Sequence, residues 1–517
     1  MTAENKITPE KRKKSPRNWH RARLGVQIAA FLLFLYLLLG TTQQLTAFLP
    51  SELFFHLDPL AGISSMLASK AWITPMALGA IVLVLAVVFG RVWCSWVCPM
   101  GSLLDWVPSR KAKRDEKDIP SYWRQGKYFF LFIILVAAVF GSLTLVILDP
   151  ITLLFRSITS AVLPVLELVI RGMETLTYNI TPLQPIVEWF DNLVRGWLLT
   201  GQSFFLPNLL ILLLFAGVLA VNAVRSRFWC RYLCPLGGLL ALFSRISRVR
   251  HTVDEAKCIS CQCCARICHT GAIDSTKGFV ASAAECTSCM ECVEACPTKA
   301  ISFSMQPSIA AQQIYDPSRR RFLATLGVAA AGALLLRFIP VVRGIQQRLI
   351  RPPGTTDQKL LSQCIRCGEC VKVCPTKVIQ PDVSAGGLEN TWTPALQMRQ
   401  GYCDYSCNSC GQVCPTNAIP ALSLEQKRQT VLGKAVIDRN RCIPWADGIE
   451  CGVCEEVCPV PGKAITLSSG GGGGGRRANA KRPHEVPDLC IGCGICESQC
   501  PVAGEAAIRV LPPDSIS

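Results

Sequence analysis

Apolar positions in this chain gather into five long runs separated by polar stretches. The runs fall at Leu24–Gly40, Ala71–Gly90, Tyr128–Leu148, Phe204–Val224 and Phe322–Val342. Each is long enough, or nearly so, to cross a hydrocarbon core about 30 Å thick as a helix. The first extends toward Gln44. The fifth carries Arg337 near its far end, from which a long side chain can snorkel to the surface. Residues 151–203 are apolar too, but Pro164, Pro182 and Pro185 break them, so they are expected to form interfacial or re-entrant helices on the outer side.

The basic residues orient these spans, because Lys and Arg concentrate in cytoplasmic connections. Eight precede the first span, including Lys11, Arg12, Lys13 and Lys14. A second group, with Arg110, Lys111, Lys113 and Arg114, lies between spans two and three, and thirteen lie between spans four and five. The alternate connections are poor in them: residues 41–70 hold only Lys70, and residues 149–203 hold only Arg156, Arg171 and Arg195. The N-terminus is therefore expected in the cytoplasm and the portion after Val342 outside. The formal charge of +17 is explained by this topology pattern, and no nucleic-acid partner is expected. Arg319-Arg320-Arg321-Phe-Leu followed by an Ala/Gly/Leu run looks like a twin-arginine export signal, here in mid-chain and retained as an anchor.

Cysteine changes the picture most. Of 29 cysteines, 24 fall into six four-cysteine runs, and the C-x2-C-x2-C-x3-C spacing is that of [4Fe–4S] ligands rather than of disulfides. Two runs lie on the expected cytoplasmic side: Cys258, Cys261, Cys264, Cys268, followed by His269 where Pro is usual, and Cys286, Cys289, Cys292, Cys296, followed by Pro297. Four runs follow on the expected outer side: Cys364, Cys367, Cys370, Cys374; Cys403, Cys407, Cys410, Cys414; Cys442, Cys451, Cys454, Cys458; and Cys490, Cys493, Cys496, Cys500. Cys263 is left over as a packed thiol. The glycine run Gly470–Gly475 reads as a flexible loop.

The remaining four cysteines sit in a repeat. Arg91-Val-Trp-Cys94-Ser-Trp-Val-Cys98-Pro matches Arg227-Phe-Trp-Cys230-Arg-Tyr-Leu-Cys234-Pro, each after an apolar run. Thiols at i and i+4 share a helix face, so two facing pairs offer four thiolates, either for a seventh iron–sulfur site or flanking a point of electron input. Trp93, Trp96 and Trp229 are candidates to pack against a quinol ring, against the commoner role of interfacial anchors. His56 and Asp58 on the outer loop are candidate proton acceptors, though surface solvation is the commoner fate of such residues.

With these residues in view, residues 20–300 resemble the NapH-type membrane quinol dehydrogenase subunits, which have four spans, two C-x3-C-P motifs and a two-cluster ferredoxin. Residues 315–512 resemble their exported NapG-type partner with four [4Fe–4S] runs. The resemblance implies an α-helical membrane domain of about five transmembrane helices plus two α+β ferredoxin-like domains. The expected divisions are a basic tail (1–23), the membrane domain (24–250), a cytoplasmic two-cluster ferredoxin (251–315), a signal anchor (316–345) and an extracytoplasmic four-cluster domain (346–517). Ferredoxin resemblance implies that Cys296 completes the cluster of Cys258, Cys261 and Cys264, and that Cys268 completes that of Cys286, Cys289 and Cys292. Resemblance to four-cluster respiratory subunits implies a nested sharing outside. Cys500 then joins Cys364, Cys367 and Cys370, and Cys374 joins Cys490, Cys493 and Cys496. Likewise Cys458 joins Cys403, Cys407 and Cys410, and Cys414 joins Cys442, Cys451 and Cys454.

The implied function is menaquinol oxidation in a bacterial cytoplasmic (inner) membrane, with electrons passed to an extracytoplasmic reductase or multihaem cytochrome. Two alternatives stay open: quinone reduction from an external donor, and a role in respiratory-enzyme assembly or metal reduction. The five histidines all lie outside the apolar runs, no C-x-x-C-H motif occurs, and no G-x-G-x-x-G opens a strand–helix unit. No haem, flavin or nicotinamide is therefore expected.

Overall fold

A computed structural model describes residues 18–41, 49–107, 121–178, 184–195, 206–275, 278–305, 349–383, 386–469 and 480–512, with parts of 323–332. The twin arginines, most of the fifth apolar run, Arg110–Arg114 and Gly470–Gly475 lie outside the described residues.

Among the described residues, the main helices of the first half include α1 (Asn18–Gly40), α2 (Pro59–Ser69), α3 (Gly79–Phe89), α4 (Pro99–Trp106), α5 (Gln125–Val139), α6 (Pro150–Tyr178), α7 (Leu206–Val224) and α8 (Pro235–Ser244). Among the described residues, α1 and α6 are long and apolar enough to cross a membrane, and several shorter apolar helices pack with them. The second expected span is a 3₁₀ turn, Thr74–Leu78, leading into α3. The third ends at Gly141, where a left-handed residue stops α5, and resumes as the 3₁₀ turn Thr144–Leu148. Residues 150–178 depart most from expectation, forming one helix rather than broken segments. Pro150 starts it at the first turn, where its missing N–H costs nothing. Pro164 follows a π-turn over Ile158–Val162, whose wider ring absorbs the lost hydrogen bond.

The helices form two matched halves. Each has an aspartate–proline helix start (Asp58-Pro59, Asp149-Pro150), an apolar helix (α3, α7), the cysteine turn and a Cys-Pro helix (α4, α8). One contiguous apolar core joins the halves, with Phe34, Phe55, Leu60, Met100, Leu154 and Leu240 at or near zero exposure.

The two iron–sulfur regions cap opposite ends of these helices. At the start of α1, the Trp19 and His20 N–H groups donate to Glu294. On α5, Lys127 meets Glu285, and beyond its end Leu143 N–H donates to the Leu361 carbonyl at 3.1 Å. At 1.5 Å per residue, the 15-residue α5 is roughly 22 Å long.

Each iron–sulfur region is built on small antiparallel ladders. Strand β1 (Val249–Val253) pairs with β2 (Ile301–Met305), bracketing the first two cysteine runs. Beyond residue 348, β3 (Ile379–Pro381) pairs with β4 (Pro394–Leu396). Strand β5 (Lys434–Ile437) pairs with β8 (Ile508–Leu511) around an inner ladder of β6 (Ile465–Ser469) and β7 (Lys481–Glu485). These ladders are too short to form a core alone. The cysteine-bearing loops supply the rest of it, as Cys442, Cys458, Cys490 and Cys496 do beside Ile437 and Ile508.

Candidate metal centres

Six quartets of cysteines converge in the two iron–sulfur regions. In the four runs with ordinary spacing, the residues two and four places after the first cysteine are left-handed: Ser260 and Gln262, Ser288 and Met290, Arg366 and Gly368, Gly492 and Gly494. That alternation curls the loop so that its N–H groups face inward, making a concave nest for an anionic group. The later cysteine of a run leaves the loop and accepts backbone N–H groups at sulfur: Ala272 to Cys268 at 3.2 Å, Ala300 to Cys296 at 3.3 Å, Ile419 to Cys414 at 3.4 Å and Ala464 to Cys458 at 3.4 Å. Burial would raise the Cys296 thiol, but hydrogen bonds from Thr298 and the Ala300 N–H outweigh it and hold the thiol below its ordinary value.

In the first region, Cys296 joins Cys258, Cys261 and Cys264 around one cavity. Cys268 sits within electrostatic reach of Cys286, Cys289 and Cys292. Cys263 stays at the rim, with the Arg266 guanidinium 3.9 Å from its sulfur.

The second region, expected on the outer side, corrects the nested sharing. Cys414, not Cys500, joins Cys364, Cys367 and Cys370 around one cavity. Cys374 lies with Cys403 and Cys410, near Cys407. Cys500 joins Cys442, Cys451 and Cys454, and Cys458 joins Cys490, Cys493 and Cys496. Sharing is therefore between neighbouring runs, first with second and third with fourth. The physical reason is the strand pairing: the β3–β4 hairpin lies between the first two runs and folds one back on the other, whereas β5–β8 brackets the last two. The two units meet where Cys403 N–H donates to the Cys493 carbonyl at 2.8 Å.

Among the described residues no three Cys, His, Asp or Glu side chains lie close enough to hold a single metal ion. A cubane cluster spreads its four thiolate ligands further apart than one ion does, so quartets beside inward N–H groups fit the cube.

The quartet among the helices, referred to below as the membrane-side quartet after its expected location, is the seventh group. Cys94, Cys98, Cys230 and Cys234 are all buried in the core shared by the two halves, within electrostatic reach of one another. Cys98 and Cys234 each cap a helix whose first residue is proline, and Cys234 sulfur accepts the Gly237 N–H at 3.2 Å. The glycine of each Cys-Pro-x-Gly run sits against a close neighbour, backbone at Gly101 and a guanidinium at Gly237. A Cβ on Gly101 would lie 2.3 Å from the Cys94 carbonyl oxygen, and one on Gly237 2.9 Å from Arg91.

Two arginines cross between the halves. Arg91 donates to the Cys230 carbonyl at 3.3 Å, and Arg227 donates to the Cys94 carbonyl at 3.1 Å. Each is 1 % exposed, so two buried positive charges stand beside four thiols. Arg227 is held by Asp105 and Arg91 faces Glu285. The Arg-x-Trp-Cys repeat carried this signal in the sequence, but the reciprocal contact appears only once the halves pack. Trp93 and Trp229 are buried in the same core, and neither indole N–H has a hydrogen-bond partner. Orphaned buried donors next to paired thiols fit an anionic sulfur-bearing group.

The first iron–sulfur region docks directly onto this quartet. Trp96 donates to the Ser288 carbonyl at 3.1 Å, and Ser288 donates to the Phe89 carbonyl at 2.9 Å. Glu285, 2 % exposed, faces Lys127 at 2.6 Å, Arg124 at 2.9 Å and Arg91 at 3.5 Å. Burial would raise its carboxyl, but these three cations outweigh it and hold the group down at about 2. His269, the departure from Cys-Pro, lies 2.5 Å from Glu291 and 3.4 Å from Ser226, contacts a proline could not make.

The outer region docks at the other end. Arg366 reaches Thr144 at 3.2 Å, Arg156 donates to the Arg366 carbonyl and lies 4.1 Å over the Trp392 ring, and Cys367 joins the helical core.

These features define a multi-cluster ferredoxin-type iron–sulfur electron-transfer protein. Family models described as 4Fe-4S binding domain match residues 71–115 and 207–252, which hold Cys94, Cys98, Cys230 and Cys234, and also residues 280–302 and 483–503. A 4Fe-4S dicluster domain model matches residues 363–418, the pair of runs that share ligands here. The methylamine utilization ferredoxin-type protein MauM of Methylorubrum extorquens is 35% identical over 207 residues, 38% of this chain and 90% of that protein. MauM of Paracoccus denitrificans is 36% identical over 203 residues, 38% of this chain and 85% of its own. The ferredoxin-type protein NapG of Escherichia coli is 34% identical over 160 residues, 29% of this chain and 66% of its own. The chain belongs to the MauM/NapG family of ferredoxin-type proteins. No solved structure matches it.

Proposed function

We propose that this chain is a membrane-bound quinol dehydrogenase that unites a NapH-type membrane part with a NapG-type cluster domain, and that it links the quinone pool to an extracytoplasmic electron acceptor. The observation that carries this reading is the membrane-side quartet, buried between two iron–sulfur regions at opposite ends of the same helices. Each quartet, when loaded with a [4Fe–4S] cluster, supplies one-electron redox chemistry, which divides the two electrons of a quinol.

The chain's own residues set the order of the quartets. Cys289, with Cys286, Cys292 and Cys268, lies near Arg227 and so near Cys230. Cys367 shares the helical core with all four membrane-side cysteines. Beyond it, Cys370 is within reach of Cys410, Cys403 touches Cys493, and Cys496 is within reach of Cys454. The order outward is thus the quartets of Cys364, Cys403, Cys490 and Cys442. Arg91 and Arg227 offset the charge of four thiolates, and Trp93 and Trp229 offer two N–H donors. The basic residues support a cytoplasmic N-terminus and an outer C-terminal domain, and α1 and α6 support membrane insertion.

The test is the double variant Cys94→Ala/Cys230→Ala in the purified full-length chain. The parent should hold about 28 irons in seven cubes and the variant about 24. Menaquinol should reduce the outer clusters of the parent and not of the variant, while dithionite reduces both. Parental iron content and quinol-driven reduction in the variant would refute the reading.

A further inference from the structure

Between the membrane-side quartet and the quartet of Cys364 lies a buried pair of acids. Asp58 and Asp149 are both 0 % exposed and occupy matching positions of the two halves. Each spends one oxygen capping its helix. Asp58 Oδ1 accepts from Leu60 and Ala61 N–H at 2.9 and 3.3 Å, and Asp149 Oδ2 accepts from Ile151 and Thr152 N–H at 2.9 and 3.0 Å. The remaining oxygens, Asp58 Oδ2 and Asp149 Oδ1, are buried with no hydrogen-bond partner. The two acids lie within electrostatic reach of each other.

The surroundings do not neutralise the pair. Arg156 is the cation within its reach, and its terminal nitrogens donate to the Arg366 and Ile147 carbonyls. Cys98 lies within reach of Asp149 on the inner side. His56, beside Glu52 and the Pro415 carbonyl, lies toward the outer region. Helices α3, α7 and α8 and the turn Thr74–Leu78 bring no ionisable side chain. Helices α4 and α5 bring Asp105, Lys127 and Tyr128, which pack at the other end, with Asp105 on Arg227 and Lys127 on Glu285. The outer helix Asp357–Gln363 brings Lys359 and Asp357, the latter bonded to Arg351.

Two neighbouring carboxyls, each buried with one unpartnered oxygen, cannot both ionise in a low-dielectric site, so the resting pair holds one proton and one negative charge. An electron arriving nearby adds a second negative charge with little solvent to screen it. We propose that Asp58 and Asp149 form a redox-linked proton site, which takes one proton from water when an electron enters the adjacent quartet and returns it when the electron leaves. One electron and one proton enter together and leave together, so the charge of the buried region is conserved. This rests on the membrane-side quartet being redox-active, as proposed above.

The test uses the full-length chain with its clusters loaded, in lipid nanodiscs. The midpoint potential of the membrane-side quartet should fall with rising pH by about 59 mV for each tenfold drop in proton concentration. A reduced-minus-oxidised infrared spectrum should show gain of a protonated-carboxyl band that shifts in D2O. Asp58→Asn and Asp149→Asn keep a capping oxygen and should flatten the slope and remove the band. A pH-independent potential with no carboxyl band in the parent, at full iron content, would overturn the proton site and leave the quinol dehydrogenase reading standing. Absence of iron from the quartet would overturn both. The parental slope and band decide the matter even if a variant fails to assemble.

Discussion

His251 on β1 is one residue whose burial can be read out in solution. It is 4 % exposed, its Nδ1 accepts the Ala281 N–H at 3.3 Å, and its ring stands at 90° to Phe303. Burial lowers its pKa from 6.5 to about 4. An unfolded chain therefore takes up a proton below pH 6.5 that the folded ring refuses. The resulting stability is complete above pH 6.5 and lost as pH falls toward 4, at about 1.4 kcal/mol per unit and about 3 kcal/mol in all. His251→Gln keeps an acceptor for Ala281 but does not titrate. Bleaching of cluster absorbance across acid pH should show a shallower acid limb in the variant, with little change at pH 8. At this scale the sequence was legible where chemistry is local: 28 of the 29 cysteines fall in motifs that name their neighbours. Asp58 was not legible. A lone aspartate on a loop reads as solvated, and only the packing of a second half, with Asp149, makes it buried and paired.

The elements were legible in part. Apolar runs located α1 and α7 well, because long continuous hydrophobicity is a property of the run itself. The 29-residue α6 was misread as broken, because Pro164 signals a stop unless a π-turn precedes it, and no residue type encodes a π-turn reliably. The cysteine turns show how tightly an element depends on one atom. Gly101→Ala would place its methyl carbon 2.3 Å from the Cys94 carbonyl oxygen, against backbone that cannot swing aside. We expect a loss of about 1–3 kcal/mol or more from overpacking, with displacement of Cys94. Gly25→Ala on α1, where nothing lies within 4 Å, should instead be neutral or stabilising by several tenths of a kcal/mol or more. Thermal denaturation in detergent, alongside iron content, separates the two. Equal behaviour of both variants would contradict the close approach.

For the whole molecule, the question is which run completes which quartet, and that depends on how distant strands pair. Spacing identifies the three cysteines that share a loop, since a loop of that length closes on itself. The fourth arrives from another run, and its identity follows from the β3–β4 hairpin between the first two runs and from β5–β8, which joins residues far apart in sequence. The nested order and the neighbouring order make opposite predictions for two single variants. In the neighbouring order, Cys414→Ala strips the quartet of Cys364, Cys367 and Cys370, which packs on the helical core. Cys500→Ala strips the quartet of Cys442, Cys451 and Cys454, the farthest from the helices. Quinol-driven reduction of the outer clusters, followed by EPR, should then fail in Cys414→Ala. It should persist for the three remaining outer clusters in Cys500→Ala. A nested order would put Cys500 on the quartet nearest the helices and exchange the two phenotypes. Because both variants lose one thiol and leave the membrane-side cysteines unchanged, a difference between them reports position along the relay rather than the number of clusters held.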